Sequence, residues 1–249
     1  MANPVLNDKA LQRADQIAAQ AYTGEQMSVE GTINRTAFLL LLLAAPAAWV
    51  WTRFVQTGDA AEVMPLMLLG LIGGLVTGFT TAFVPTWARI TAPAYAVCEG
   101  LVLGGISAMY EAQFKGIVVQ AVGLTLAVLA AMLVLYRAGV IKVTDRFRMM
   151  VLGATAGIAI FYFVSIVLSF FHVNIPLLWS NGPWGIVFNL FVVGIAALNL
   201  ALDFDFIEQG VQRGAPQFME WYAAFGVLVT LVWLYLEILR LLSRLRSRN

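Results

Sequence analysis

The chain has 249 residues, of which 61% are apolar and 12% charged, and its mean hydropathy is +0.83. Soluble domains average about 45–50% apolar and about 25% charged residues, so a single water-soluble core is excluded, as is disorder, which needs low hydrophobicity. Fifteen Lys and Arg against fourteen Asp and Glu leave a net charge of +1, without the basic footprint of a nucleic-acid binder. A lone cysteine, Cys98, excludes an intramolecular disulfide framework or a cysteine-only metal site. The composition is that of an integral membrane protein, whose first partner is the lipid bilayer.

Residues 1–36 are polar, with Ala10, Leu11, Ala14, Ile17, Ala18 and Ala21 at helical spacing, which predicts a short amphipathic helix at the membrane interface. This lead is longer than a secretory n-region, so the LLLLLAAPAA run that follows is expected to be an uncleaved first span. A membrane helix needs about 20 largely apolar residues. Seventeen uncharged residues separate Arg35 from Arg53, 26 separate Glu62 from Arg89, and 21 separate Lys115 from Arg137. Between them, Thr91–Tyr110 is interrupted only by Glu99. Met149–Leu202 holds 54 residues without a formal charge, enough for two crossings, with the break expected over His172–Pro183. The last run starts at Trp221 and is interrupted by Glu237.

Seven spans are therefore predicted, over 37–54, 64–87, 91–110, 116–136, 149–171, 184–206 and 222–242, followed by a basic tail at 243–249. The fold class is all-α, and continuous apolar runs argue against a β-barrel, whose strands alternate. Trp49, Trp51, Trp87, Tyr110, Tyr136, Trp184, Trp221 and Tyr222 lie at segment ends, as an interfacial aromatic belt would. With the N-terminus cytoplasmic, the inner loops hold nine Lys and Arg and the outer loops hold Arg53 and Lys115, which favours that orientation. The four tail arginines (Arg240, Arg244, Arg246 and Arg248) oppose it, and a shallow or re-entrant last segment would remove the conflict. Glycines recur every fourth residue at Gly70, Gly74 and Gly78, at Gly100 and Gly104, and at Gly153 and Gly157. Such stripes let helix backbones touch, either inside the bundle, the expectation here, or across a homodimer. A monomer and a homodimer both stay open.

Four carboxylates lie within or at the margin of apolar segments: Glu99, Asp203, Asp205 and Glu237. Insertion of an ionised side chain at a helix centre costs roughly 2.5–3.5 kcal/mol, so each calls for a partner, a hydrated cavity or a function. Asn199 and Asp203 are four residues apart and share one helix face. Two carboxylates on neighbouring helices are able to share a proton or to hold a hard cation such as calcium. Glu237 and Arg240 also read as an ordinary i,i+3 pair, and Asp205 and Glu208 as solvated helix-end acids. Glu99 reads equally as a site or as a carboxyl bonded to a neighbouring carbonyl. His172, the only histidine, reads as an interfacial polar residue, which leaves no paired-histidine haem or zinc centre. No nucleophile elbow, P-loop or HExxH motif is present, so no enzyme is expected, and no cofactor beyond a transported ion.

These residues resemble a bacterial member of the Bax inhibitor-1 (transmembrane Bax inhibitor motif) family. The resemblance covers roughly 37–245 and rests on the seven spans, LDFDFI with Asp203 and Ile207, LYLE followed by ILRLL, and AYAVCEGLVLGG in the third span. It implies a seven-helix fold with the last helix central, located in the bacterial inner membrane. It also implies a pH-sensitive calcium leak gated by two acids on the last two helices, which fall here on Asp203 and Glu237. The second acid is Glu where the family has Asp, and 34 residues separate the pair, about ten more than the family pattern. If the last helix starts at Pro216, Glu237 lies about 30 Å along it and cannot meet Asp203.

The expected function is a cation leak, for calcium, closed by a proton shared between Asp203 and Glu237, with Asp205, Glu99, Asn199 and Arg240 as secondary candidates. The alternative is a non-transporting regulator of membrane-protein quality control that binds a membrane protease or partner helix through the polar N-terminal segment. Exchange of another divalent metal would use the same acids, because manganese also prefers oxygen ligands.

Overall fold

Side-chain caps set where several helices begin. In the computed structural model, which describes residues 25–171 and 182–248, Ser28 accepts the Gly31 N–H and opens α1 (Val29–Thr57). Asp59 accepts the Ala61 N–H and opens α2 (Ala60–Phe83). A 3-10 turn over Pro85–Trp87 leads into α3 (Ala88–Gln113), followed by α4 (Ile117–Arg137). Thr144 caps α5 (Asp145–Phe170), and α6 (Pro183–Gln212) and α7 (Phe218–Arg246) complete the order.

All seven helices are long and apolar enough to cross a membrane, so the seven predicted spans are found. Among the described residues there is no strand, only an isolated antiparallel bridge between Gln26 and Pro216. The helices overrun most of the apolar runs because charged residues are good helix formers. Thus α1 begins eight residues before residue 37, with Glu30 in its first turn, where an acid complements the helix dipole. The predicted amphipathic helix at residues 10–21, the loop containing His172 and Asn249 of the basic tail lie outside the described residues.

The described chain divides into two compact units. Unit A takes in 116–204 and 230–248, and unit B takes in 25–115 and 205–229, so α6 and α7 each contribute to both. In unit B the glycine stripes are used for helix contact. A Cβ on Gly70 would stand 2.5 Å from the Cys98 carbonyl oxygen, and one on Gly104 would stand 2.5 Å from that of Ala47. Among the described residues, a Cβ added to Gly153 or Gly157, on α5 in unit A, would meet no atom within 4 Å. The same four-residue spacing thus packs inside the chain at one place and not at the other.

The core of unit B is built where the first half of α7 (Met219, Tyr222, Phe225 and Leu228) packs with Ala88, Ala92 and Ala96 of α3 and Leu39 of α1. Tyr222 is fully buried there, against other helices of the unit. The last helix is the most buried of the seven, the property expected of a central helix. At 29 residues it is about 43 Å long, long enough to cross a hydrocarbon layer about 30 Å thick. The tail arginines are largely engaged within unit A. Arg240 pairs with Glu237, Arg244 donates to the Gly185 carbonyl at 2.6 Å, and Arg246 donates to Gln120 at 2.9 Å.

Candidate functional site

Unit A carries clustered polar side chains at two levels of a largely apolar helix core. The first level gathers on Glu237 of α7, which is 2% exposed. Its Oε1 accepts the Tyr162 hydroxyl of α5 at 3.0 Å, and its Oε2 accepts the Asn189 amide of α6 at 2.8 Å. Arg240, one turn further along α7, donates to both carboxylate oxygens at 3.0 and 3.2 Å. The same guanidinium donates to the Tyr162 oxygen at 2.9 Å and lies over its ring, 5.4 Å from the centroid. A buried carboxylate needs a counter-charge and filled lone pairs, and three helices supply both here. The i,i+3 pair with Arg240 read from the sequence is present, but as one edge of a larger cluster.

The second level is formed by Asn199 and Asp203, which are buried on one face of α6 as their spacing predicts. The Asn199 amide donates to the Thr155 hydroxyl of α5 at 2.9 Å and to the Ile195 carbonyl at 2.8 Å. Thr230, also buried, lies on the face of α7 that carries Glu237, two turns earlier. Between the levels sits an apolar layer of Ile158, Val192 and Ile195, with Trp233 and Phe188 packed against it. The register is the same on each helix: Ile158 lies between Thr155 and Tyr162, Val192 and Ile195 between Asn189 and Asn199, and Trp233 between Thr230 and Glu237.

The expected pairing of Asp203 with Glu237 is not formed. Glu237 is bonded to Asn189, and Asp203 lies 203 − 189 = 14 residues further along the same helix, roughly 20 Å away at about 1.5 Å per residue. The reason is the start of α7 at Phe218, close to the Pro216 start for which the sequence already forbade a meeting. The two carboxyls therefore do not share a proton in this structure, nor do they jointly hold a cation. Among the described residues, no group of three or more His, Cys, Asp or Glu is placed to hold a metal ion.

The remaining candidates lie in unit B. Asp205 accepts the Gln209 amide at 2.7 Å, and exposed Glu208 accepts that of Gln212 at 3.3 Å, both on their own helix end. Glu99 is half-buried on α3 and accepts the Tyr95 hydroxyl. One buried carboxylate escaped the sequence reading, Glu220 in the first turn of α7, which is 2% exposed. It pairs with Arg35 and accepts both the backbone N–H of Ser28 at 2.8 Å and its hydroxyl at 3.0 Å. Arg35 also lies over the Trp221 ring, 5.3 Å from its centroid. Glu220 precedes the apolar run by one residue and so passes for a helix-end acid. Asn189 and Tyr162 were overlooked as well, although an amide at two-heptad spacing from Asp203 inside an apolar span was a usable signal.

Seven apolar helices with buried carboxylates define a polytopic α-helical membrane protein. The family described as Bax inhibitor 1 like matches residues 3–247, and the chain belongs to it. No curated protein and no solved structure matches the chain significantly.

Proposed function

We propose that the protein is a cation leak, carrying calcium, whose route follows the polar face of α6 in unit A. Membership of a family associated with ion leak supports the class. The observation that carries the reading is the alternation of polar, apolar and polar layers at Asn199 and Asp203, at Ile158, Val192 and Ile195, and at Asn189 and Glu237. Buried carboxylates in a span are costly and mark ion paths, and an apolar constriction between polar vestibules gates by dewetting. In this conformation the apolar layer closes the route. Asp203 and Glu237 act at separate depths, each setting the charge of its own vestibule, and Glu237 is held by Arg240. The orientation that goes with this reading places the N-terminus in the cytoplasm of a bacterial inner membrane.

Calcium entry into proteoliposomes, measured between about pH 5 and pH 8, tests it. Ile158→Thr, which puts a hydroxyl into the apolar layer, is expected to raise the flux. Asp203→Asn and Glu237→Gln are expected each to flatten the pH dependence independently, so that the double variant shows the sum. Absence of flux from folded protein, or flux indifferent to all three substitutions, refutes the proposal and favours a non-transporting regulator.

A further inference from the structure

A second polar seam lies in unit B and uses none of the residues assigned to the leak. On α3, Thr91, Tyr95 and Glu99 follow at four-residue spacing and share one face. The Tyr95 hydroxyl donates to the Glu99 carboxylate. One turn towards the start of the helix, the Thr91 and Thr81 hydroxyls are 2.7 Å apart across the α2–α3 contact, with Thr81 fully buried. Thr91 in turn donates to the carbonyl of Trp87, in the turn that joins the two helices. Trp87 is 61% exposed, and Arg89, two residues on, is exposed, a pairing of the kind that marks a membrane interface. Glu99 lies 99 − 88 = 11 residues into α3, about 17 Å deep, near the middle of a hydrocarbon layer about 30 Å thick.

The opposing wall explains the glycines of α2. A Cβ on Gly74 would stand 3.5 Å from the Glu99 Oε2, one on Gly78 would stand 3.3 Å from the Tyr95 ring, and one on Gly73 would stand 2.7 Å from the Cys98 sulfur. The wall is thus cut back where these three side chains sit. Among the described residues, no charged side chain is found to act on Glu99. α2 presents Gly70, Gly73, Gly74 and Gly78; α1 presents Leu43, Pro46 and Ala47 on the other side; and α7 presents Phe225 edge-on to Tyr95. Tyr95 and Cys98 are the titratable neighbours, and among the described residues no Lys or Arg pairs with Glu99. This setting differs from those of Glu237 and Glu220, each of which has an arginine. A mid-membrane carboxyl without a counter-charge is neutralised by the smallest cation able to reach it.

We propose that Glu99 is a proton-binding site in unit B, loaded from the α2–α3 turn along the Thr91, Thr81 and Tyr95 hydroxyls. The proton is held on the carboxyl, and the Tyr95 hydroxyl donates to the oxygen that does not carry it. The site does not depend on the leak route of unit A.

The test is infrared difference spectroscopy of the full chain in proteoliposomes after a pH jump, together with labelling by an apolar carbodiimide, which reacts with a protonated carboxyl in an apolar setting. A protonated-carboxyl band is expected that disappears in Glu99→Gln, persists shifted in Glu99→Asp, and appears several-fold more slowly in Thr91→Val. Carbodiimide modification is expected to map to Glu99 and to be absent from Glu99→Gln. A band and a labelling pattern unchanged in Glu99→Gln overturn the site, and unchanged kinetics in Thr91→Val overturn the route. Calcium flux in Glu99→Gln that matches the wild type supports its independence from unit A.

Discussion

The glycines of α3 allow a quantitative test of how unit B is held together. Replacing Gly104 by Ala places a methyl group 2.5 Å from the Ala47 carbonyl oxygen, 2.8 Å from its Cα and 3.0 Å from its carbonyl carbon. Ordinary contact begins at 3.4 Å, so α1 and α3 must separate by 3.4 − 2.5 = 0.9 Å. All three atoms belong to backbone, and no change of rotamer relieves the overlap. Overpacking of this kind costs about 1–3 kcal/mol, and the loss of close backbone contact adds to it. The substitution also removes a helical glycine, a gain of about 1 kcal/mol. Gly157→Ala collects the same gain and meets no atom within 4 Å. The difference between the two variants therefore isolates the overlap, about 1–3 kcal/mol in favour of Gly157→Ala. Gly100→Ala, which meets the Leu43 carbonyl and the Pro46 ring, is expected to be at least as damaging as Gly104→Ala. Gly105→Ala should be milder, because it meets only the flexible Met67 side chain. Thermal unfolding in detergent, followed by tryptophan fluorescence, ranks the four. Equal midpoints for Gly104→Ala and Gly157→Ala would refute close α1–α3 packing.

Two further outcomes concern the buried ion pairs. Glu220→Ala leaves the Arg35 guanidinium and the Ser28 N–H without their carboxylate, and is expected to cost about 3–5 kcal/mol in denaturant unfolding. Arg35→Met in that background should restore part of the loss, and strict additivity of the two substitutions would show that the pair is not coupled. Tyr162→Phe removes one hydroxyl from Glu237 while Asn189 and Arg240 still satisfy the carboxylate. It should cost only about 1 kcal/mol, whereas Glu237→Ala strands Arg240 and should cost several-fold more; equal losses would place Glu237 outside the cluster.

The candidate site was partly legible in the sequence. A charge inside an apolar run stands out whatever the fold, so Glu99, Asp203 and Glu237 were found, and helical periodicity put Asn199 and Asp203 on one face. Their partners were not legible, because Tyr162, Asn189 and Glu237 come from three helices and their levels depend on where each helix begins. Moving Glu237 from the level of Asn189 to that of Asp203 would take a shift of α7 by about fourteen residues, roughly 20 Å. Glu220 was missed because nothing local separates a helix-end acid in water from one folded onto Arg35, which lies 220 − 35 = 185 residues earlier.

The sequence by itself determined the seven crossings, their order and the all-helical class, because hydrocarbon thickness and the cost of burying charge act on each segment separately. Only the tertiary structure decided which faces meet. Gly100 with Gly104 and Gly153 with Gly157 have the same spacing, yet the first pair lies against backbone and the second faces no atom within 4 Å. Spacing gives the face of a helix. The neighbour of that face, and so the partner of every buried carboxylate, is set by packing between segments far apart in the chain.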